Sequence, residues 1–392
     1  MRSAVIVDAV RTPSGKGKPG GALSSHHPVE LLAQTLQALV ARTDLDPASI
    51  DDVIAGCVSQ SGEQTLNVAR NALLAAGLPE SVPGTTVDRQ CGSSQQAAHF
   101  AAQSVIAGAC DIAIACGVES MSRVPMGASS QGQQPQAPLV RRYPDGLVGQ
   151  GISAELIAAR WKLDREQLDE YAARSHRLAA EHAKSGAFDR ELVPVTAPDG
   201  TVTSEDETIR PSTTAEGLAE LQPSFVDGDL GERFPEIGWS ITAGNSSPLT
   251  DGASAILVMS EERAEQLGIR PRARFHAFAV VGSDPLLMLT GPIPATERVL
   301  ARAGLTIDDI DAFEVNEAFA PVPLAWLHDT GADLSRLNPR GGAIALGHAL
   351  GASGTRLMTT LLNHLEDTGG RFGLQTMCEG GGMANATIIE RL

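Results

Sequence analysis

Short apolar runs that carry no polar face alternate along this chain with longer Ala-rich stretches of helical period. AVIVDAV, DVIAGCV, DIAIACGV, SAILVMS, DAFEVNEAF and ATIIE read as strands, and PVELLAQTLQALVAR and SSQQAAHFAAQSVIAG read as helices. Strands apolar on both sides belong to sheets covered by helices on each face, so the alternation predicts an α/β fold.

Comparison of the two ends exposes a repeat. Ile50-Asp51 matches Ile310-Asp311, Cys91-Gly-Ser-Ser matches Gly351-Ala-Ser-Gly, and Glu119 matches Glu379, all at one offset of 260. Three matches at one ungapped offset imply a duplicated unit. The expected division is a first half over 1–121 and 249–270, an insertion over 122–248, and a second half over 271–392. The insertion is turn-rich around QGQQPQAPLVRRYPDG, contains one charged helix, DREQLDEYAARSHRLAAEHAKSG, and is otherwise mostly loop. Long loops carried on a rigid scaffold usually bind ligands.

At 392 residues the chain exceeds one ordinary core. Its 40 glycines and 4% aromatics indicate close packing through small side chains. A formal charge of −17 excludes nucleic acid or an anionic membrane surface as the main partner, and leaves an anionic ligand in need of a local basic pocket. Five cysteines without a CxxC pair or a zinc-like Cys/His spacing fit a reducing compartment and no metal, so the expected location is the cytoplasm. The apolar stretch near the N-terminus is too short for a secretory leader, and no run is long enough to span a membrane.

Three distant segments carry residues fit for thioester chemistry. Cys91 precedes a helix of small residues, where unpaired N–H groups are expected to lower a thiol pKa and expose the sulfur. His348 lies among glycines 341, 342, 347, 351 and 354, which allow backbone to approach a ring closely. Cys378 leaves a strand into Glu379-Gly380-Gly381-Gly382, whose amides can form an oxyanion hole. Asn316, at the end of another strand, can hold a water or donate to an oxygen, and Glu317 is placed to orient the histidine. A thiolate that holds an acyl group, with a second thiol that moves a proton on or off carbon, points to carbon–carbon bond chemistry.

Taken together, RQCGSSQQA, GVESMS, AGNSSPLTDGA, VNEAFA, GGAIALGHALGASG and CEGGG resemble the thiolase family, in order and at near full-length spacing. The resemblance implies an α/β, five-layered αβαβα core built from two similar halves plus a loop domain. It implies that Cys91 attacks a 3-ketoacyl-CoA, His348 takes its proton and Cys378 protonates the departing acetyl-CoA enolate. By the same resemblance, Asn316 and the Gly380 amide stabilise oxyanions. Ser247 and Arg210 contact coenzyme A, while Met126, Met288 and Phe319 line the acyl and thioester pocket.

Coenzyme A is then a substrate and no cofactor is needed. CoA thioesters are the partners, and the expected assembly is a homodimer or homotetramer, with the Ala/Gly-rich strand before Glu119 as an edge that pairs across a two-fold axis. The chain departs from the usual pattern at Pro339-Arg340 and Ala349, while Met126, where biosynthetic members tend to carry His, favours the degradative branch. RQCGSSQQA and MLTGPIPAT also resemble thiolases of actinobacterial fatty-acid or steroid side-chain breakdown. The alternatives are a ketoacyl synthase-like condensing enzyme, expected to carry a second His where Cys378 stands, and a CoA- or lipid-binding relative without catalysis. A disulfide between Cys91 and Cys378 would switch such an enzyme off.

Overall fold

The computed structural model of the chain describes residues 2–392. The first half contains β1 (Ala4–Arg11), β2 (Gly15–Lys16), β3 (Asp52–Gly56), β4 (Gly84–Val87) and β5 (Ile112–Ser120), with α1 (Pro28–Thr43), α2 (Val68–Ala75) and α3 (Ser93–Ile106). Next come α4 (Gln150–Trp161), α5 (Arg165–Lys184), the hairpin of β6 (Val195–Thr196) and β7 (Val202–Thr203), α6 (Ala215–Ala219) and α7 (Gly228–Arg233). β8 (Thr250–Ser260) returns to the first half's sheet, followed by α8 (Glu261–Leu267). The remainder comprises β9 (Ala273–Gly282), α9 (Pro292–Ala303), β10 (Ala312–Val315), α10 (Pro321–Thr330), α11 (Ala343–Leu346), α12 (Ser353–Thr368), β11 (Phe372–Glu379) and β12 (Met383–Arg391).

Ten strands form one sheet in the order β10-β11-β12-β9-β1-β8-β5-β3-β4, with β2 on β8. Within the sheet, the two halves meet at a short antiparallel contact of β1 with β9, Val5 opposite Arg274 and Ile6 opposite Ala273. Helices α3 and α12 touch strands of both halves, while α1 and α2 cover the outer face of the first and α9 that of the second. The layers therefore run αβαβα, as the resemblance implies. β1, β5 and β8 are buried at every position, which is why their sequences show no polar face.

The duplication is visible in the bonds. Asp51 Oδ2 accepts from the amides of Asp111 and Ile112 at 2.7 and 2.9 Å. Asp311 Oδ2 accepts from those of Arg371 and Phe372 at the same two distances. The central helices cross closely because their facing residues are small: Thr355 N donates to Ser94 Oγ at 3.0 Å, and a Cβ on Gly354 would lie 2.1 Å from Gln95 N.

Two features differ from the sequence reading. The strand before Glu119 is β5, which lies between β3 and β8 and is not an edge; a run buried on both faces pairs on both sides. The edge on that side is the short strand β4. The 122–248 segment is also better anchored than a loop reading implies. Asp164 and Gln167 close a capping box on α5, whose buried face presents Leu168, Tyr171, Ala172 and Ser175.

Candidate active site

Cys91 and Cys378 belong to different halves and approach each other at the carboxyl end of β11. The amides of Gly380 and of Cys91 itself face the Cys91 sulfur, and the two sulfurs lie close enough for the charge of one to oppose ionisation of the other. Cys91 packs with Met121, Leu350, Leu357 and Met377, so Leu350, two residues after His348, brings the histidine loop against the nucleophile's surroundings. All five cysteines are free thiols.

Both site thiols are buried, which reverses the expectation of an exposed, acidified Cys91. Desolvation, followed by the nearby Glu379 charge, pushes Cys91 up to about 12, and the amides of Gly380 and Cys91 only partly offset this. Burial, then the neighbouring Cys91 charge, drives Cys378 well above the ordinary thiol value. Helix α3 begins at Ser93 behind Cys91, but its dipole is outweighed by loss of water around the sulfur. The resting nucleophile is therefore a thiol, and its proton must leave during attack.

His348 is built to take it. Its amide donates to Thr250 Oγ1 at 3.0 Å. Gly347 sits at φ +81°, where an added Cβ would come within 2.6 Å of the Thr250 side chain. His348 Nδ1 lies 2.6 Å from Ser353 Oγ, and that hydroxyl donates its one proton to Ala349 O at 2.8 Å. The hydroxyl oxygen must then accept from Nδ1–H, which puts the ring's lone pair on Nε2. Burial and the Arg356 charge hold the imidazole down at about 3, so the ring is neutral, with its lone pair on Nε2. Arg356 has two unpartnered Nη atoms and, with Ser353, lines a cavity of about 10 Å³, roughly room for one water.

Asn316 follows β10 and donates its amide N–H to Thr376 O at 3.1 Å, which sets it beside the strand that ends in Cys378. Its Nδ2 is 3.4 Å from His348 Nε2, and its Oδ1 is buried without a partner. Glu317 does not orient the histidine. Its carboxylate accepts from Tyr171 Oη, Ser175 Oγ, Asn338 Nδ2 and the Ile344 amide, tying α5 to the segment that leads to His348. Ser353 has the orienting position instead, because a side chain leaving the strand next to Asn316 points away from the ring.

The remaining candidates divide. Ser247 donates both its amide and its hydroxyl to Ala318 O, at 3.0 and 3.1 Å. Phe319 packs edge-on to Phe225 and shares a core cluster with Met288 and Cys378. Met126, in contrast, is 60% exposed, and Arg210 is an exposed residue whose amide donates to His176 Nδ1 at 3.2 Å. Ser353 and Glu379 escaped the sequence reading; only the spacing of Ser353 five residues after His348, and of Glu379 at the duplicate position of Glu119, marks them.

Two family profiles together match nearly all of the chain: "Thiolase, N-terminal domain" over residues 4–262 and "Thiolase, C-terminal domain" over residues 269–391. Among curated relatives, the steroid 3-ketoacyl-CoA thiolase FadA6 of Mycobacterium tuberculosis is 49% identical over 100% of this chain and 95% of its own length. The 3-ketoacyl-CoA thiolase of Serratia proteamaculans is 46% identical over 100% of both chains. The crystal structure of the Bacillus anthracis acetyl-CoA acetyltransferase matches with a TM-score of 0.90 at 36% identity, covering 100% of this chain and 99% of the other. With the duplicated fold and the cysteine, histidine and asparagine segments gathered at the junction of its halves, the chain belongs to the thiolase family.

Proposed function

We propose that the thiolase reaction of this chain, CoA-dependent cleavage of a 3-ketoacyl-CoA into acetyl-CoA and a shortened acyl-CoA, runs through a covalent acyl-Cys91. His348 Nε2 removes the Cys91 proton as sulfur attacks the 3-keto carbon. The bond between carbons 2 and 3 then breaks, the electron pair passes to the acetyl-CoA enolate, and Cys378 supplies the proton that makes acetyl-CoA. Incoming coenzyme A gives its thiol proton to Cys378, its sulfur attacks the acyl-Cys91 carbonyl, and the Cys91 sulfur leaves with the proton that His348 returns.

The observation that carries this reading is the meeting of the Gly380 amide and Cys378, from one half, with the Cys91 sulfur of the other. Donors aimed at the sulfur are also placed for an oxygen developing on the carbon bound to it. Asn316 and His348 Nε2 then serve the enolate oxygen, and the neutral state of His348 fits its role as proton acceptor. Ser247, Met288 and Phe319 are assigned to the pantetheine and acyl side, with residues 122–248 contributing to CoA binding. Arg210 is assigned to the nucleotide end of coenzyme A on its charge and exposure. Met126 is assigned to the mouth of the acyl channel on the same ground of exposure.

The substrate is proposed to lie in lipid degradation, with a steroid side chain as one candidate because the 49% identical relative is named for steroid substrates. The enzyme is further proposed to work in the cytoplasm, as a homodimer or homotetramer, with coenzyme A as substrate and no other cofactor. Among the described residues no helix is long and apolar enough to cross a membrane. Thiolysis assayed with acetoacetyl-CoA, longer linear 3-ketoacyl-CoAs and a steroid side-chain 3-ketoacyl-CoA tests the reading. Acylated Cys91, seen by mass spectrometry and discharged by coenzyme A, supports it, whereas no thiolysis with any of these substrates overturns it.

A further inference from the structure

The two halves carry the same glutamate at the end of equivalent strands, and the structure uses them differently. Glu119, at the end of β5, accepts four bonds: from the amides of Val58, Ser59 and Gly351 at 2.9, 3.0 and 2.9 Å, and from Gln64 Nε2 at 2.8 Å. Its carboxyl group ties down the segment following His348. Glu379, its duplicate at the end of β11, is equally buried, yet neither carboxyl oxygen has a partner.

Glu379 nevertheless sits at the centre of the chemistry. It is adjacent in sequence to Cys378 and precedes Gly380. Its side chain lies on the backbone of the Cys91-Gly92 turn so closely that a Cβ on Gly92 would be 2.0 Å from Glu379 Oε1 and 2.8 Å from Asn385 Nδ2. Asn385 gives that Nδ2 to Gly92 O at 3.1 Å and leaves its own Oδ1 unpartnered. The charged groups facing Glu379 come from the turn before α3, namely Arg89, whose Nε is buried without a partner, and Asp88. β12 contributes only the neutral Asn385 and Met383, and the one histidine of α3, His99, is held neutral by burial and by the Arg89 charge.

We propose that Glu379 is a positioning residue of the cysteine pair: a carboxylic acid that stays neutral while the enzyme works, and whose ionisation sets a negative charge beside Cys91 and keeps its thiol protonated. A buried carboxylate with no donor is costly, so the neutral form is the one this pocket accommodates. Burial raises Glu379 to about 8, with Arg89 opposing and Asp88 adding, and the Glu379 charge in turn raises both Cys91 and Cys378. Where Glu119 is held by four donors, its duplicate meets none, and its charge is a titrating brake on the nucleophile. The inference rests on the reading of Cys91 as nucleophile.

Its test is the pH profile of Cys91 alkylation by iodoacetamide, quantified on the Cys91 peptide by mass spectrometry, in wild type, Glu379→Gln and Glu379→Asp. Gln imitates the neutral acid, so wild type and Glu379→Gln are expected to react alike near pH 7. They should separate above about pH 8, the variant reacting on the order of tenfold faster near pH 9, since each pKa unit on a thiol is tenfold in thiolate. Wild type is expected to show two ionisations, and Glu379→Asp, which keeps a carboxyl, to retain both. Superimposable profiles, or a wild-type profile with a single ionisation, overturn the proposal, and the latter outcome needs no variant to fold. Alkylation requires no CoA thioester, so a failure here is distinct from a failure of thiolysis.

Discussion

His348 and Ser353, five positions apart, are joined by a 2.6 Å bond that decides which imidazole nitrogen is the base. The Ser353 proton is committed to Ala349 O, so the ring must donate from Nδ1 and accept at Nε2. Ser353→Ala would strand a buried N–H, a loss of roughly 1 to 3 kcal/mol, or about five- to 150-fold. The expected result is a fall of that size in kcat with little change in KM, measured by steady-state thiolysis. An unchanged kcat would show that the tautomer is set elsewhere.

Asn316→Ala separates catalysis from folding. The side chain makes only a 3.4 Å contact to His348, and its Oδ1 bonds to nothing, so its removal breaks little of the native network. As a donor to an enolate oxygen, its loss is expected to cost about 2.7 to 4 kcal/mol of transition-state stabilisation, a hundredfold to a thousandfold in kcat. A melting temperature near wild type, combined with a fall of that size, is the predicted pair of measurements.

Glu317 predicts the opposite pattern. Four donors from α5, Asn338 and the Ile344 amide converge on its carboxylate, all of them buried. Glu317→Ala leaves Tyr171 Oη, Ser175 Oγ and the Ile344 amide without an acceptor, each at roughly 1 to 3 kcal/mol, while Asn338 Nδ2 keeps Val315 O. The variant is expected to melt well below wild type and to lose thiolysis as the histidine segment loosens from α5. Glu317→Gln, which keeps one acceptor oxygen, should recover part of the melting temperature.

How much of this was legible in the sequence depended on whether a residue's role was carried by its neighbours in the chain. Cys91, His348 and Cys378 stand in glycine-rich or small-residue segments, and that local composition marks a place where backbone must come near a ligand. The offset of 260 was visible because the packing of α3 on α12 demands small residues at matching positions, such as Ser94 and Gly354. Glu317 was misread because its partners come from Tyr171 and Ser175, nearly 150 residues away, and nothing in VNEAFA records which way the side chain turns. The Cys91 thiol was misread for a related reason: a helix start is evident from sequence, but the burial that outweighs its dipole is a property of the assembled halves.

The buried ionisable groups also define how stability should follow pH. Burial is the largest cause lowering both His348 and His99 to about 3, so between there and the unfolded value of 6.5 the unfolded chain binds more protons than the native one. Stability from these rings is fully present above 6.5 and is lost as pH falls toward 3. Glu314 and Glu379 work in the other sense. Desolvation raises both from 4.5 to about 8, so the native state holds the extra protons in that window, and their contribution is full below 4.5 and lost as pH rises toward 8. The two slopes oppose each other between 4.5 and 6.5, so these groups place the highest melting temperature there, falling on either side. Differential scanning calorimetry across pH 4 to 9 checks this for wild type and for Glu314→Gln. Glu314 has two unpartnered oxygens, and replacing it with a neutral amide should flatten the alkaline fall while leaving the acid limb in place. An alkaline limb equally steep in the variant would mean that Glu314 ionises as readily in the folded chain as in the unfolded one.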